Sequence, residues 1–145
     1  MKMGFTISQQ SLDWMGVFEK KTHAAVKDAF EDNAGTLTFI VLPGNLFKAL
    51  GKNAENIRRL ERLFKRKVRV IEYAENIEDF VLNVVYPNKC DVNIKGDVVT
   101  LVPHSLKMRG NLIGRAAAHL RNTEMIVQRY FPIRRMIVTN AREEW

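Results

Sequence analysis

A chain of 145 residues that is 46% apolar has room for one domain or two small ones around a genuine core. Its longest apolar runs, such as Phe39–Leu42, fall far short of the roughly 20 residues a membrane span needs, and its single cysteine, Cys90, excludes an internal disulfide and any cysteine-based metal cluster. Net charge is +7, gathered into residues 48–69 (local +7) and 104–135 (local +6) against an acidic remainder; such clustering points to a polyanion, with plainly solvated basic helix faces as the alternative.

The opening residues show no apolar signal segment, so a cytoplasmic chain is expected. Ser8 is a good N-cap for a helix carrying Leu12, Met15 and Phe18 on one side. Residues 24–31 are alanine-rich and score as helix by propensity, yet correspondence with the second half predicts a strand over 24–31, turning at 32–35. TFIVLPG (38–44) follows as an apolar strand closed by proline. Two helices broken at Gly51 come next, the second with Ile57, Leu60 and Phe64 as its buried stripe and Arg58, Arg59, Arg62 and Lys65 around the rest. VRVIEY (68–73) reads as a closing strand. Asn76 then caps a short helix with Ile77, Phe80, Val81 and Val84 inward, stopped by Pro87. Cys90, Val92 and Ile94 alternate, turn at residues 95–97, and return as a second hairpin strand over 98–102. A further helix pair breaks at Gly114, its second member striped by Ala117, Leu120, Ile126/Val127 and Tyr130 with Arg115, Arg121, Asn122 and Arg129 outward. RRMIVT (134–139) closes the chain.

The two halves are copies of one another. A shift of 63 residues places Gly51-Lys52 over Gly114-Arg115, Ala54 over Ala117, Ile57-Arg58 over Leu120-Arg121 and Glu61 over Glu124. TFIVLPG pairs with VTLVPHS (99–105), and VRVIEY pairs with RRMIVT. The resulting expectation is an α+β chain, α-β-β-α-α-β twice, with domains at 1–74 and 75–145.

Strand–helix–GXXG–helix–strand, with an apolar residue before the first glycine and a basic one after it, resembles the KH module in its type II order. The stretch FIVLPGNLFKALGKNAENIRRLERLFKRKVRVIEYAENIEDFVLNVVYP is similar to archaeal NusA-like transcription factors, short chains of two KH modules and little else. The resemblance covers nearly the whole chain. It implies an α/β sandwich of two tandem type II KH modules, each with its helices on one face of a three-stranded sheet. It further implies a monomeric single-stranded RNA binder acting in transcription elongation, pausing or termination, with RNA polymerase and other transcription factors as protein partners. The RNA-binding residues it implies are Gly51, Lys52, Asn53, Ala54, Arg58 and Arg59 in the first module and Gly114, Arg115, Ala116, Ala117 and Arg121 in the second. A glycine lets the nucleic-acid backbone come close, a helix N-terminus favours phosphate, and a neighbouring groove takes splayed bases.

Both loops depart from GXXG at the fourth place, where Ala54 and Ala117 stand. The expectation is that the following helix begins early, so that each methyl points toward the groove; a left-handed alanine would instead cost about 1–2 kcal/mol. A degenerate KH scaffold serving as a protein-interaction module of the transcription or ribosome-assembly machinery is the competing reading. Other chemistries fall away. The Gly44–Asn53 stretch has the wrong spacing and lacks the hydroxyl of a P-loop. His23, His104 and His119 stand at no metal-ligand spacing, and His119 reads as helix surface or a phosphate contact. Glu78-Asp79 complement a helix dipole, and Cys90 reads as a small buried strand residue. No enzyme, cofactor, metal or membrane partner is expected.

Overall fold

A computed structural model describes residues 7–142; residues 1–6 and 143–145, which the expected domains 1–74 and 75–145 include, lie outside the described residues. The described chain falls into two compact units that divide at Ala74/Glu75.

The first unit starts with α1 (Gln9–Thr22), where the Ser8 hydroxyl accepts the Ser11 amide. The helix ends at a left-handed His23, with Lys20 and Lys21 in its last turn complementing the dipole. Phe18 is its core residue, whereas Leu12, expected beside it, is 51% exposed. The alanine-rich segment forms strand β1 (Val26–Glu31), antiparallel to β2 (Leu37–Val41). Its turn overrides helix propensity: the Asp32 carboxylate accepts the amides of Ala34 and Thr36, both at 2.9 Å, and Gly35 supplies φ 82°. Helices α2 (Leu46–Leu50) and α3 (Glu55–Phe64) carry the chain over to β3 (Val68–Glu72), which pairs parallel with β2 in the order β1-β2-β3. Leu37, Phe39 and Val41 alternate onto one face of β2 and join Phe18, Ala49 and Leu60 in a single core. Phe18 and Phe39 stack there with ring centroids 4.3 Å apart.

The second unit repeats the plan. Helix α4 (Ile77–Val85) is capped by Asn76, which accepts the Asp79 amide. Hairpin β4 (Cys90–Lys95) and β5 (Val98–Pro103) turns at Gly96, φ 61°. Helices α5 (Leu106–Ile113) and α6 (Ala118–Gln128) then cross to β6 (Arg135–Val138), parallel to β5 in the order β4-β5-β6. Phe80, Leu101, Ile126 and Met136 are fully buried, and Tyr130 meets Phe80 edge-on at 5.5 Å. Helix α5 has eight residues where α2 has five, which absorbs the longer spacer between Pro103 and Gly114. Cys90 is buried, and burial pushes its thiol up to about 11, so it stays protonated. Among the described residues no helix is long and apolar enough to cross a membrane.

The architecture is thus mixed α+β, two three-stranded sheets each with its own helices, consistent with a tandem KH-like fold.

Candidate nucleic-acid interface

Each helix pair is joined by a tight connection of the same shape. Gly51 sits at φ 73°, ψ 173° and Gly114 at φ 72°, ψ 176°, a region that L-residues rarely enter. Two consecutive left-handed residues follow each glycine: Asn53 (φ 54°) and Ala54 (φ 58°) in one loop, Ala116 (φ 53°) and Ala117 (φ 62°) in the other. The expectation that α3 and α6 begin early is corrected by this. They start at Glu55 and Ala118, after the alanine, because the chain must reverse between two packed helices and the reversal uses both left-handed residues. Even Ala116-Ala117-Ala118, a strong helix-forming run, yields to that demand.

A left-handed alanine costs about 1–2 kcal/mol, and glycine returns about half of that to unfolded-chain entropy. Ala54→Gly and Ala117→Gly are therefore expected to raise stability by up to about 1 kcal/mol, read as a higher urea midpoint. Ala118→Gly, one residue into the helix, is expected to lower it by about 0.5–1 kcal/mol.

The loop glycines also have a packing role. A Cβ on Gly51 would lie 2.8 Å from Asn56 Cγ and 3.2 Å from the Asn56 backbone nitrogen; one on Gly114 would lie 2.6 Å from His119 Cγ. These side chains reach back across the glycine to the helix before the loop. Asn56 Nδ2 donates to the Lys48 carbonyl at 3.1 Å, and His119 Nδ1 donates to the Asn111 carbonyl at 2.9 Å. Because a carbonyl only accepts, Nδ1 is the protonated nitrogen. Asn56 and His119 stand five residues after their glycines and 63 apart, so the same clamp is built twice from different side chains. His119, read from sequence as helix surface or a phosphate contact, holds the loop instead. The one available signal was that the internal repeat sets two hydrogen-bonding residues opposite each other.

The basic residues divide. Lys52 and Arg115 are exposed at the loop tips and, among the described residues, form no ion pair. Arg58 is exposed and donates to the carbonyl of Asn53 at 2.6 Å, bracing the loop from α3. Arg59 pairs with Glu55 at 2.8 Å and borders a shallow groove with Lys21, Arg62 and Leu63. Arg121, the counterpart of Arg58, turns the other way. It grips Glu124 through two contacts of 2.8 and 3.0 Å and is only one-third exposed. The helix ends differ too: α3 opens on Glu55, whereas α6 opens on Ala118 with no acid in its first turn. By charge alone the second helix start is the better phosphate neighbour. Elsewhere, the His104 hydrogen bond at 3.0 Å, with Arg142 beyond it, holds Asp91 below the usual carboxylate range.

No family model matches the chain. It is 29% identical over 134 residues to "Probable transcription termination protein NusA" of Methanocaldococcus jannaschii, covering 88% of this chain and 73% of that protein. The protein of the same name from Methanococcus vannielii is 30% identical over 116 residues, 77% of this chain and 66% of its own length. That from Halococcus morrhuae is 24% identical over 134 residues, covering 90% and 96%. The chain belongs to the archaeal NusA-like proteins. The match spans about two thirds of the Methanococcus vannielii relative, so what that whole protein does is not carried over by length alone. The crystal structure of APE1850 superposes with a TM-score of 0.77 at 20% identity, over 92% of this chain and 100% of that one, a likeness of fold. These NusA-like relatives are named for transcription termination, a non-enzymatic activity, and the expectation that this chain is no enzyme rests on them.

Proposed function

We propose that this NusA-like chain is a single-stranded RNA-binding protein of transcription elongation, pausing and termination. It consists of two type II KH modules, residues 1–74 and 75–145, that hold the RNA backbone at Gly51-Lys52-Asn53-Ala54 and Gly114-Arg115-Ala116-Ala117. The observation that carries the reading is the duplicated loop itself: a strained glycine, two left-handed residues, an exposed cation and a helix start, held by the same clamp in both copies. Lys52 and Arg115 supply the ion contact, and the starts of α3 and α6 supply backbone dipoles. Arg58 and Arg59 border the first loop, while Arg121 is held away from the second by Glu124. The mechanism is positioning with no bond chemistry, in a cytoplasmic monomer whose protein partners belong to the transcription apparatus.

The test is binding of a fluorescent single-stranded RNA of about 12 nucleotides over a salt series. Contact with about four phosphates gives a log–log slope of about −3. Lys52→Glu and Arg115→Glu are each expected to weaken binding roughly tenfold and flatten that slope. A slope near zero in the wild type would overturn the reading in favour of a KH scaffold for protein contacts. An effect of Lys52→Glu alone would confine RNA binding to the first module.

A further inference from the structure

Among the described residues two aromatic side chains are largely exposed, Phe47 and Tyr86, and of these Phe47 is the one on the helix that leads into a glycine loop. Phe18, Phe39 and Phe80 are fully buried, whereas Phe47 is 85% exposed. It stands on α2, whose Ala49 faces the core, and it is followed by the exposed Lys48. Its carbonyl accepts the amide of Gly51 at 2.9 Å, and the carbonyl of the next residue, Lys48, is the one held by Asn56. Phe47 is therefore one helical turn before the loop and bound into the same clamp. The second unit has a glycine at this place: Gly110, whose carbonyl accepts the amide of Gly114 at 2.9 Å. A Cβ on Gly110 would meet nothing within 4 Å, so no packing demand explains the missing side chain.

Resting on the RNA reading above, we infer that Phe47 is a stacking platform for one unstacked base of the strand held at Gly51–Ala54, and that the second unit holds backbone only. An exposed aromatic ring followed closely by cations matches a single-stranded nucleic acid, whose base offers an apolar face and whose phosphates offer charge. Lys48 and Lys52 both follow the ring in sequence, and no acid lies within residues 47–54. Stacking is tolerant of base identity, so the platform adds affinity and register without strong sequence preference.

The experiment compares wild type, Phe47→Ala, Phe47→Trp and Gly110→Phe on the single-stranded RNA and on an abasic strand of equal length. Phe47→Ala is expected to weaken RNA binding roughly tenfold with an unchanged salt slope, because the phosphate contacts persist. Phe47→Trp is expected to retain affinity, and the abasic strand is expected not to distinguish wild type from Phe47→Ala. Gly110→Phe is expected to tighten RNA binding, since it supplies the second unit with the missing ring in open space. If wild type binds RNA and Phe47→Ala binds it equally well, the platform is overturned while the RNA reading stands. An equal loss on the abasic strand overturns it too, because the ring would then act without a base. If wild type binds no RNA over the salt series, the RNA reading fails and takes this inference with it.

Discussion

Gly51→Ala is expected to destabilise the protein by about 2–4 kcal/mol, the sum of backbone strain at a position of about 1–3 kcal/mol and a lost hydrogen bond of about 1 kcal/mol. The strain arises because φ 73°, ψ 173° is closed to a side chain. The hydrogen bond is lost because a Cβ 2.8 Å from Asn56 Cγ must push that side chain off the Lys48 carbonyl. Denaturant unfolding is expected to show a lower midpoint at an unchanged m-value. Gly16→Ala makes an informative contrast: it lies within α1 with nothing near its Cβ and is expected to stabilise by about 1 kcal/mol. Asn56→Ala separates the two causes: it removes the hydrogen bond beforehand, so in that background Gly51→Ala is expected to cost only the backbone strain. If Gly51→Ala costs the same in both backgrounds, the clamp carries none of the effect. Gly114→Ala is expected to follow the same course through His119, whose ring comes closer still.

The two demands on the loop glycine bear on function. Close approach of an RNA backbone explains a glycine only when RNA is bound, whereas the clamp explains it in the free protein. The loop is thus held in its strained shape before any ligand arrives, and binding then has less conformational entropy to lose.

The architecture was legible because it was written twice. Residues 24–31 score as helix alone, yet their counterpart at 90–95 alternates as a strand, and the structure has a strand in both places. The Ser8 and Asn76 caps, the Leu60 core position and the hairpin at Gly96 follow from local chemistry that tertiary contacts do not oppose. The loop interiors were not legible. Helix propensity at Ala116-Ala117-Ala118 is a local quantity, and the requirement that α6 fold back on α5 is not; the latter set the backbone. Arg58 and Arg121 look equivalent at 63-residue spacing, but one braces a loop and the other turns to a carboxylate. Charge pattern ranks such residues together, because each has a glutamate three residues on, and only the structure shows that Arg121 bonds its glutamate while Arg58 bonds the Asn53 carbonyl. Phe47 is illegible for the opposite reason: an aromatic in a short apolar run has the pattern of a core residue, and only the structure turns it outward.

Glu124→Ala is expected to cost about 2–4 kcal/mol, more than its counterpart Glu61→Ala at about 1–2 kcal/mol. Glu124 is 13% exposed and serves two donors: the amide of the fully buried Met136 at 2.8 Å and the guanidinium of Arg121. Its removal leaves the start of β6 without an acceptor and a half-buried cation without its anion. Among the described residues the Glu61 side chain accepts only the Val68 amide, at 3.0 Å, and Arg58 is engaged elsewhere, so less is stranded. Glu124→Gln keeps an oxygen for Met136 while losing the charge, and it is expected to fall between wild type and Glu124→Ala in thermal unfolding. Arg121→Ala is expected to lower stability modestly and leave RNA affinity within about twofold, whereas Arg115→Glu lowers affinity roughly tenfold with little change in stability. A large RNA defect in a folded Arg121→Ala would show that this arginine leaves Glu124 for phosphate when RNA binds. The bridge to Glu124 would then be a resting position, and the second loop would gain its charge only in the bound state.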